Sequence, residues 1–457
     1  MTKTAFYAAV SALSATALGY WFLAPAGPVI EARVPIPANA PSQDAARPED
    51  ANEGTLIPGT GKPSKERGSW PGFRGKRRDA VVEGSPIAAT WPESGPKELW
   101  RIPLGEGHAG AAVHNGCVFI LDYDEAKKED ALRCLSLDTA EEIWRYTYYV
   151  KVKRNHGMSR TVPAVNDQFV VALGPRCHVL CVETKTGKCV WKKDLVAEYK
   201  TKVPEWHAGQ CPLIDGDRAI LAPGGTCLMT AVELATGKTV WETPNEKKWQ
   251  MTHASILPME FEGKRQYVWC ASDGAVGVDA ETGALLWELP EWRIRIATVP
   301  TPLDVGRGRI FFTGGYNAGS MMVQLAKEGD RVTVKELFRT KPFVFGSDQQ
   351  TPIHRNGLIY GVIPGGYLAC LSLEGESLWI DKEYEFGLGP YLMVDGRMLI
   401  LDDHPPMLYL FDVDAGGARK LTSHQVLDGH DAWAPIAFVK GRVLLRDSKQ
   451  MVCLDLR

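Results

Sequence analysis

A tryptophan, or an apolar residue in its place, returns every 41 to 51 residues along this chain and closes the same short phrase. The three clearest copies read ETKTGKCVW at 183–191, ELATGKTVW at 233–241 and DAETGALLW at 279–287. A fixed period in this range is typical of proteins that repeat one supersecondary unit around an axis or along a line. The repeat therefore constrains the architecture much more tightly than it constrains the chemistry.

Two independent series of positions count the same number of repeats. The first series is Trp100, Trp144, Trp191, Trp241, Trp287, Phe338, Trp379 and Leu421. The second series consists of turn dipeptides between two apolar runs, which begin at 115, 166, 215, 262, 307, 356, 395 and 440. Several are Asn-Gly or Asp-Gly, which tolerate the positive φ angles of tight β-hairpins. Both series predict eight units.

The apolar runs between these marks predict short strands. They are rich in β-branched and aromatic residues, as at 118–121, 169–173 and 309–312, and they are bounded by Gly, Pro and Asp, which favours strands over helices. Four such strands in a unit of roughly 45 residues match one blade of a β-propeller. We therefore predict an all-β, eight-bladed propeller over residues 97–457. Pairing of the C-terminal strand with residues 97–104 would close the ring and remove an exposed sheet edge.

The repeated phrase has a structural explanation of its own. Its glycine suits a turn with positive φ between the third and outermost strands, and its tryptophan is large enough to fill the wide outer gap between neighbouring blades. The phrase thus predicts blade docking and gives no indication of chemistry.

Charge and cysteine content narrow the function classes. A net charge of −3 over 457 residues provides no basic field for nucleic acid, so we expect no nucleic-acid partner. The ten cysteines are scattered, and no two are adjacent. This distribution favours free buried thiols, with one or two disulfides as the alternative in an oxidising compartment.

The N-terminal segment predicts export. Residues 4–24 are uncharged and mostly apolar, a length that spans a bilayer, so residues 1–26 form either an uncleaved membrane anchor or a signal peptide cleaved after Ala26. Residues 27–68 are rich in proline and polar residues and predict a disordered linker. Residues 69–96 form a lead-in segment before the propeller. Both alternatives place the propeller in the periplasm or another extracytoplasmic compartment, and an uncleaved anchor would tether it to the inner membrane.

The Thr-Gly-x-x-x-Trp repeats resemble the pyrroloquinoline-quinone-like (PQQ-like) propeller family. That family includes quinoprotein alcohol dehydrogenases and the propeller of the bacterial outer-membrane β-barrel assembly machinery. The sequence WPGFRG at 70–75, with Arg78-Asp79, resembles the lead-in of exported propellers common in planctomycete and verrucomicrobial genomes. The resemblance covers residues 70–457. The dehydrogenases use an adjacent Cys-Cys pair over the quinone and a Glu/Asn/Asp set for calcium, and neither pattern is found in this chain.

One set of residues is a candidate site. The segments that lead into the innermost strands converge on one mouth of the central channel. They carry the candidate residues His108, His156, Arg160, His207, His253, Arg295 and His430. Imidazoles around an axis suit a transition metal, or an anionic ligand when protonated, and arginine pairs with carboxylates. The alternative is that each histidine only bonds the backbone of a neighbouring blade.

Two functions are consistent with these features. The first is a non-catalytic, membrane-tethered propeller that binds a protein, a peptide or an envelope polymer and needs no cofactor. The second is an oxidoreductase that carries PQQ or a metal in the channel mouth.

Overall fold

The computed structural model describes residues 54–329 and 331–457. The predicted signal peptide or anchor, residues 1–26, and the predicted linker up to residue 53 lie outside the described residues. Within the described ranges, no helix is both long enough and apolar enough to cross a membrane.

Almost all of the regular structure is β, and the single helix of the described residues, α1 (Leu195–Tyr199), is short. The strands up to the end of the second blade are β1 (Thr55–Pro58), β2 (Ser69–Trp70), β3 (Val81–Val82), β4 (Lys97–Pro103), β5 (Ala112–His114), β6 (Cys117–Asp124), β7 (Glu129–Ser136), β8 (Glu142–Tyr149), β9 (Ala164–Val165), β10 (Phe169–Leu173), β11 (His178–Glu183) and β12 (Cys189–Asp194). The next three blades contain β13 (Leu213–Asp215), β14 (Arg218–Leu221), β15 (Cys227–Glu233), β16 (Thr239–Pro244), β17 (Leu257–Phe261), β18 (Lys264–Ala271), β19 (Gly274–Asp279), β20 (Leu285–Leu289), β21 (Leu303–Gly306), β22 (Arg309–Gly314), β23 (Gly319–Glu328) and β24 (Arg331–Thr340). The last three blades contain β25 (Ile353–Arg355), β26 (Leu358–Ile363), β27 (Tyr367–Ser372), β28 (Ser377–Asp381), β29 (Tyr391–Val394), β30 (Arg397–Leu401), β31 (Met407–Asp414), β32 (Gly417–Gln425), β33 (Ala437–Val439), β34 (Arg442–Arg446) and β35 (Gln450–Asp455).

These strands form eight sheets, which confirms the eight-bladed propeller. Seven blades consist of four strands consecutive in the chain, from β5–β8 to β29–β32, with the innermost strand first. The eighth blade combines β33, β34 and β35 with β4. Each of the eight turn dipeptides lies between the first two strands of its blade, so the hairpin series identified the same unit that the tryptophan series did.

Ring closure between the two ends of the propeller is also confirmed. Strand β35 pairs antiparallel with β4, and Cys453 lies opposite Trp100 while Met451 lies opposite Ile102. The C-terminal strand is therefore an internal strand of its blade, bonded to β34 on one side and to β4 on the other.

The clear copies of the repeated phrase dock one blade onto the next, as predicted. The phrase glycines Gly237 and Gly283 have φ angles of 74° and 73°. A Cβ atom at these positions would lie 2.7 Å from the Trp191 ring and 2.5 Å from the Trp241 ring, respectively, of the preceding blade. The indole N–H of Trp191 donates to the carbonyl of Leu234 in the next blade, at 2.8 Å. Glycine and tryptophan recur with one period where they contact each other across such an interface, as they also do at Gly187 and Trp144.

The lead-in segment runs inside the ring and plugs the channel. Strand β2 pairs with β5, the innermost strand of the first blade, and β3 pairs in parallel with β29, the innermost strand of the seventh. Residues 69–82 therefore enter the channel from the hairpin end, turn near the mouth and run back. The lead-in, 69–96, was predicted as a segment separate from the propeller. The structure instead makes its first half part of the core, because innermost strands offer it unpaired backbone groups.

Arg74 fixes the tip of this plug. Its guanidinium is buried and donates hydrogen bonds to the carbonyls of Thr351 and Pro352 in the sixth blade and to the carbonyls of Arg78 and Asp79 in the plug itself. Burial lowers the pKa of Arg74 to about 10, so the group remains charged at neutral pH. One side chain thus joins the plug to the far wall of the channel.

The predicted linker, 27–68, is wrong over its last part. Strand β1 pairs with β8 and adds an outer strand to the first blade, with Leu56 opposite Tyr146. Close backbone approach continues at Gly59, where a Cβ would lie 1.9 Å from the carbonyl oxygen of Glu142. Composition did not indicate this strand because its partner lies about 90 residues away in sequence.

Candidate binding site at the channel mouth

A cavity of about 290 Å³ opens at the mouth of the channel. The segments that lead into the innermost strands form its wall, and Phe73, near the tip of the plug, contributes to its lining. Because residues 69–82 fill the channel below, the cavity is a blind pocket at one end of the ring and not part of an open tunnel.

A single phase of the repeat supplies seven of the sixteen residues that line the cavity. The residue four positions before the first residue of the innermost strand lines the cavity in seven of the eight blades. These residues are His108, Arg160, Gly209, His253, Val299, Gln349 and Trp433. The eighth, Gly387, does not line it. The phase follows from the propeller symmetry, because equal offsets from equivalent strands bring the side chains to one height around the axis.

Four of the seven predicted site residues line the cavity, and three of these four lie at this phase. His108, His156, Arg160 and His253 line the cavity together. His207 is buried outside the lining, Arg295 is exposed outside it, and His430 lies 3.0 Å from Asp431 with its side chain 61% exposed. These three residues lie six to eight positions before their strands; His156, which also lies eight positions before its strand, does line the cavity.

The aromatic part of the lining was not predicted from the sequence. Phe73, Trp206, Tyr316 and Trp433 all contribute to the cavity. In the eighth blade, counting four residues back from the strand selects Trp433, whereas choosing histidines by residue type selected His430. Phe73 has no counterpart in the repeat, because it reaches the mouth through the plug.

Arg160 is the central cation of the cavity. Its Nη2 donates to the carbonyls of Asn155 and His156, while its Nε is buried and has no hydrogen-bond partner among the described residues. No described carboxylate forms an ion pair with it. Burial lowers the pKa of Arg160 to about 10, so at neutral pH the site holds a positive charge without a counter-ion.

Two of the histidines that line the cavity, His108 and His253, are neutral at physiological pH. Burial and the charge of Arg160 lower the pKa of His108 to about 3 and that of His253 to about 4. His108 stacks on Trp433 with ring centroids 4.8 Å apart, and its Nε2 lies 3.0 Å from the carbonyl oxygen of His156. That contact requires a proton on Nε2, which leaves Nδ1 buried without a described partner. The low pKa values of His108 and His253 disfavour their protonated forms, and Arg160 is the guanidinium that lines the cavity.

A second unpaired guanidinium lies beneath the cavity. Arg78 of the plug lies 5.5 Å from the ring centroid of Phe73 and donates from Nη1 to the carbonyl of Pro212 at 3.2 Å. Its Nε and Nη2 are buried without partners in the described part of the chain. Burial lowers the pKa of Arg78 to about 10, so its charge adds to that of Arg160.

The cavity does not fit a metal ion. No Asp or Glu is among the residues that line it, and the described residues contain no cluster of three His, Cys, Asp or Glu with metal-binding geometry. Two guanidinium groups also repel a cation. The one lining cysteine, Cys211, accepts a hydrogen bond from the amide of Val162 at 3.2 Å. Burial raises its pKa, which keeps it a thiol, and it has no cysteine neighbour in sequence to form the pair that the quinoproteins use.

Fold and mouth together define an eight-bladed propeller of PQQ-like repeats with a cationic, aromatic pocket at one end. The chain belongs to the family described as outer membrane protein assembly factor BamB, whose profile matches residues 127–381, more than half of its length. A comparison with curated protein sequences finds no match.

Solved structures share the fold at low sequence identity. BamB from Moraxella catarrhalis is 12% identical, with 78% of this chain and 97% of that chain covered and a TM-score of 0.52. Quinohemoprotein alcohol dehydrogenase from Comamonas testosteroni is 11% identical, with coverage of 85% and 80% and a TM-score of 0.59. The computationally designed Ika8 protein is 10% identical, with coverage of 81% and 100% and a TM-score of 0.50. At these identities the likeness establishes the architecture alone.

Proposed function

We propose that this chain is a non-catalytic binding propeller of the cell envelope, and that a protein, peptide or envelope polymer engages the mouth of its ring. The apolar segment at residues 4–24 supports export and tethering to the inner membrane. Membership of the BamB family supports a binding role. The observation that carries the proposal is the mouth cavity itself.

The chemistry of the cavity favours binding over catalysis. Aromatic side chains and one uncompensated guanidinium are groups that recur at binding sites. Acid–base catalysis instead requires a group that titrates near the working pH, whereas the pKa values of His108 and His253 lie at about 3 and 4. Among the described lining residues, no carboxylate is present to act beside them.

The closed ring provides a rigid support for such a site. Most of the lining residues lie in the segments that lead into the innermost strands, and the hydrogen bonds of these strands and of the plug fix the backbone beside them. A partner would therefore meet a largely pre-formed surface, and pre-formed surfaces lose little conformational entropy on binding.

Site-specific crosslinking in the native host tests the proposal. A photoreactive phenylalanine analogue at Tyr316, which lines the cavity and is 45% exposed, should capture one discrete partner. The matched control is the same analogue at Asn356, which is exposed in the hairpin at the opposite end of the sixth blade and should not capture that partner. Capture at Asn356 alone, or no capture at either position, would contradict a partner at the mouth.

A further inference from the structure

We propose that the mouth cavity binds an aromatic monocarboxylate, with the carboxylate on Arg160 and the ring against the indoles of Trp206 and Trp433. This inference rests on the proposed function, which it deepens by naming the ligand chemistry. The ligand is either a free small acid or the terminal carboxylate of a chain that ends in an aromatic residue.

The need for an anion follows from the uncompensated charge. A buried or half-buried cation is costly unless it is paired and hydrogen-bonded, and in this protein surface arginines such as Arg154 are paired, with Glu106 at 2.8 Å. Arg160 has no such partner among the described residues, and its buried Nε has no acceptor. Arg78, beneath Phe73, adds a second charge with two unpartnered nitrogens. The cavity thus has positive potential and donors without acceptors.

A single carboxylate matches the number and geometry of these donors. Arginine presents a planar fork that matches the two oxygens of a carboxylate. Only Arg160 of the two guanidiniums lines the cavity, because Arg78 lies beneath Phe73. Arg160 is therefore the one guanidinium in the described lining, and a single cation favours a monoanion. A phosphate dianion would need further cationic donors at the same wall.

The aromatic part of the ligand is inferred from the rest of the wall. The Trp433 ring already stacks on His108 at 4.8 Å, and its indole N–H donates to the Asp403 carboxylate at 2.9 Å, which fixes the ring plane. Trp206 lies 6.2 Å from His253, centroid to centroid. A flat ring that packs against these indoles gains offset-stacked or edge-to-face contacts beyond its buried area.

The carboxylates near the cavity do not cancel its preference for an anionic ligand. Asp403 lies behind the Trp433 ring and accepts hydrogen bonds from that indole and from the amide of Leu388. Burial raises the pKa of Asp348, near Tyr316, and so disfavours its charged form. Neither carboxylate lines the cavity or forms an ion pair with Arg160.

Calorimetric titration with phenylpropionate and with its neutral isostere phenylpropionamide tests the proposal. The acid should bind the full-length protein. The affinity for the amide should be lower by a factor of about ten or more, because a hydrogen bond to a charged group is lost. Arg160→Gln should lower the affinity for the acid by a similar factor and leave the affinity for the amide unchanged. Arg154→Gln removes the same charge from the exposed rim and should change neither affinity.

The acid–amide comparison needs no variant, so the test remains decisive if Arg160→Gln fails to fold. Equal affinity for acid and amide, or no binding of either, would overturn the proposal, as would an unchanged acid affinity in a folded Arg160→Gln protein. A pentaglycyl-phenylalanine peptide with a free carboxylate separates the two sources: binding as tight as that of the free acid identifies a chain terminus, and binding of the free acid alone identifies a small molecule. A partner captured at Tyr316 without binding of any acid would overturn the ligand class and leave the proposed function standing.

Discussion

Deletion of residues 451–457 should abolish the folded propeller. The segment contributes most of β35, which bonds to β34 on one side and β4 on the other. Five of its side chains, Met451, Val452, Cys453, Leu454 and Leu456, are at most 2% exposed. Each buried apolar side chain contributes roughly 1.5–3 kcal/mol, so their combined loss is comparable to the whole stability of a typical domain, about 5–15 kcal/mol.

Deletion of Arg457 alone is the matched control. This residue forms ion pairs with Asp455 and Glu66, and its side chain is 46% exposed, so its loss should cost about 1 kcal/mol or less. Circular dichroism and thermal melting of both truncations distinguish a closed ring from an open array, which loses stability unit by unit. A seven-residue truncation that melts within a few degrees of the intact protein would show that β35 does not close the ring.

Replacement of Arg74 by Met should destabilise the propeller by roughly 3 kcal/mol or more. Met keeps much of the volume but leaves the carbonyls of Thr351, Pro352, Arg78 and Asp79 without their donor. An unsatisfied buried polar group costs about 1–3 kcal/mol. Chemical unfolding monitored by fluorescence should show the decrease.

The neighbouring Arg77 provides the control for this prediction. It forms an exposed ion pair with Asp79, at 2.7 Å, and its side chain is 59% exposed, so Arg77→Met should lower the free energy of unfolding by about 1 kcal/mol or less. Similar unfolding curves for the two variants would contradict the account of the plug, since they would mean that the buried bonds of Arg74 contribute no more than a surface pair.

The features of the fold that can be predicted from sequence are those repeated in every blade. The contact between Gly237 and Trp191 can be predicted from residue type, because only glycine fits against the indole at a φ angle of 74°. The same relation recurs at Gly283 and Trp241, so the number of blades can be counted. Ring closure follows from the incomplete units at the two ends of the repeat.

The plug and β1 cannot be predicted in this way because each occurs once. The bonds from Arg74 to Thr351 and Pro352 span 277 and 278 residues, and no local pattern encodes such a pairing. Strand β1 is a four-residue segment whose partner, β8, determines its structure. The composition of these two segments did not predict their structure. Both become ordered by pairing with strand edges that only the folded ring provides.

The candidate site was predicted in part for a related reason. Histidine was a useful marker at His108 and His253, where the residue type coincides with the phase that faces the axis. His207 and His430 are also histidines, but neither lies four positions before its innermost strand. The charge states also depend on burial, which lowers the pKa of His108 to about 3. Burial at the centre of a ring results from all eight blades together, so a single segment of sequence does not reveal it.

The central claim is that the channel mouth is a non-catalytic binding site, and the most direct measurement is an absorption spectrum with metal analysis of protein purified from its native host. We expect only the absorption of the aromatic side chains and no metal at a stoichiometric level, because the lining residues present guanidinium and neutral imidazole without a carboxylate. One equivalent of a chromophore or metal that is lost on replacement of His108 and His253 would contradict the account and favour the oxidoreductase.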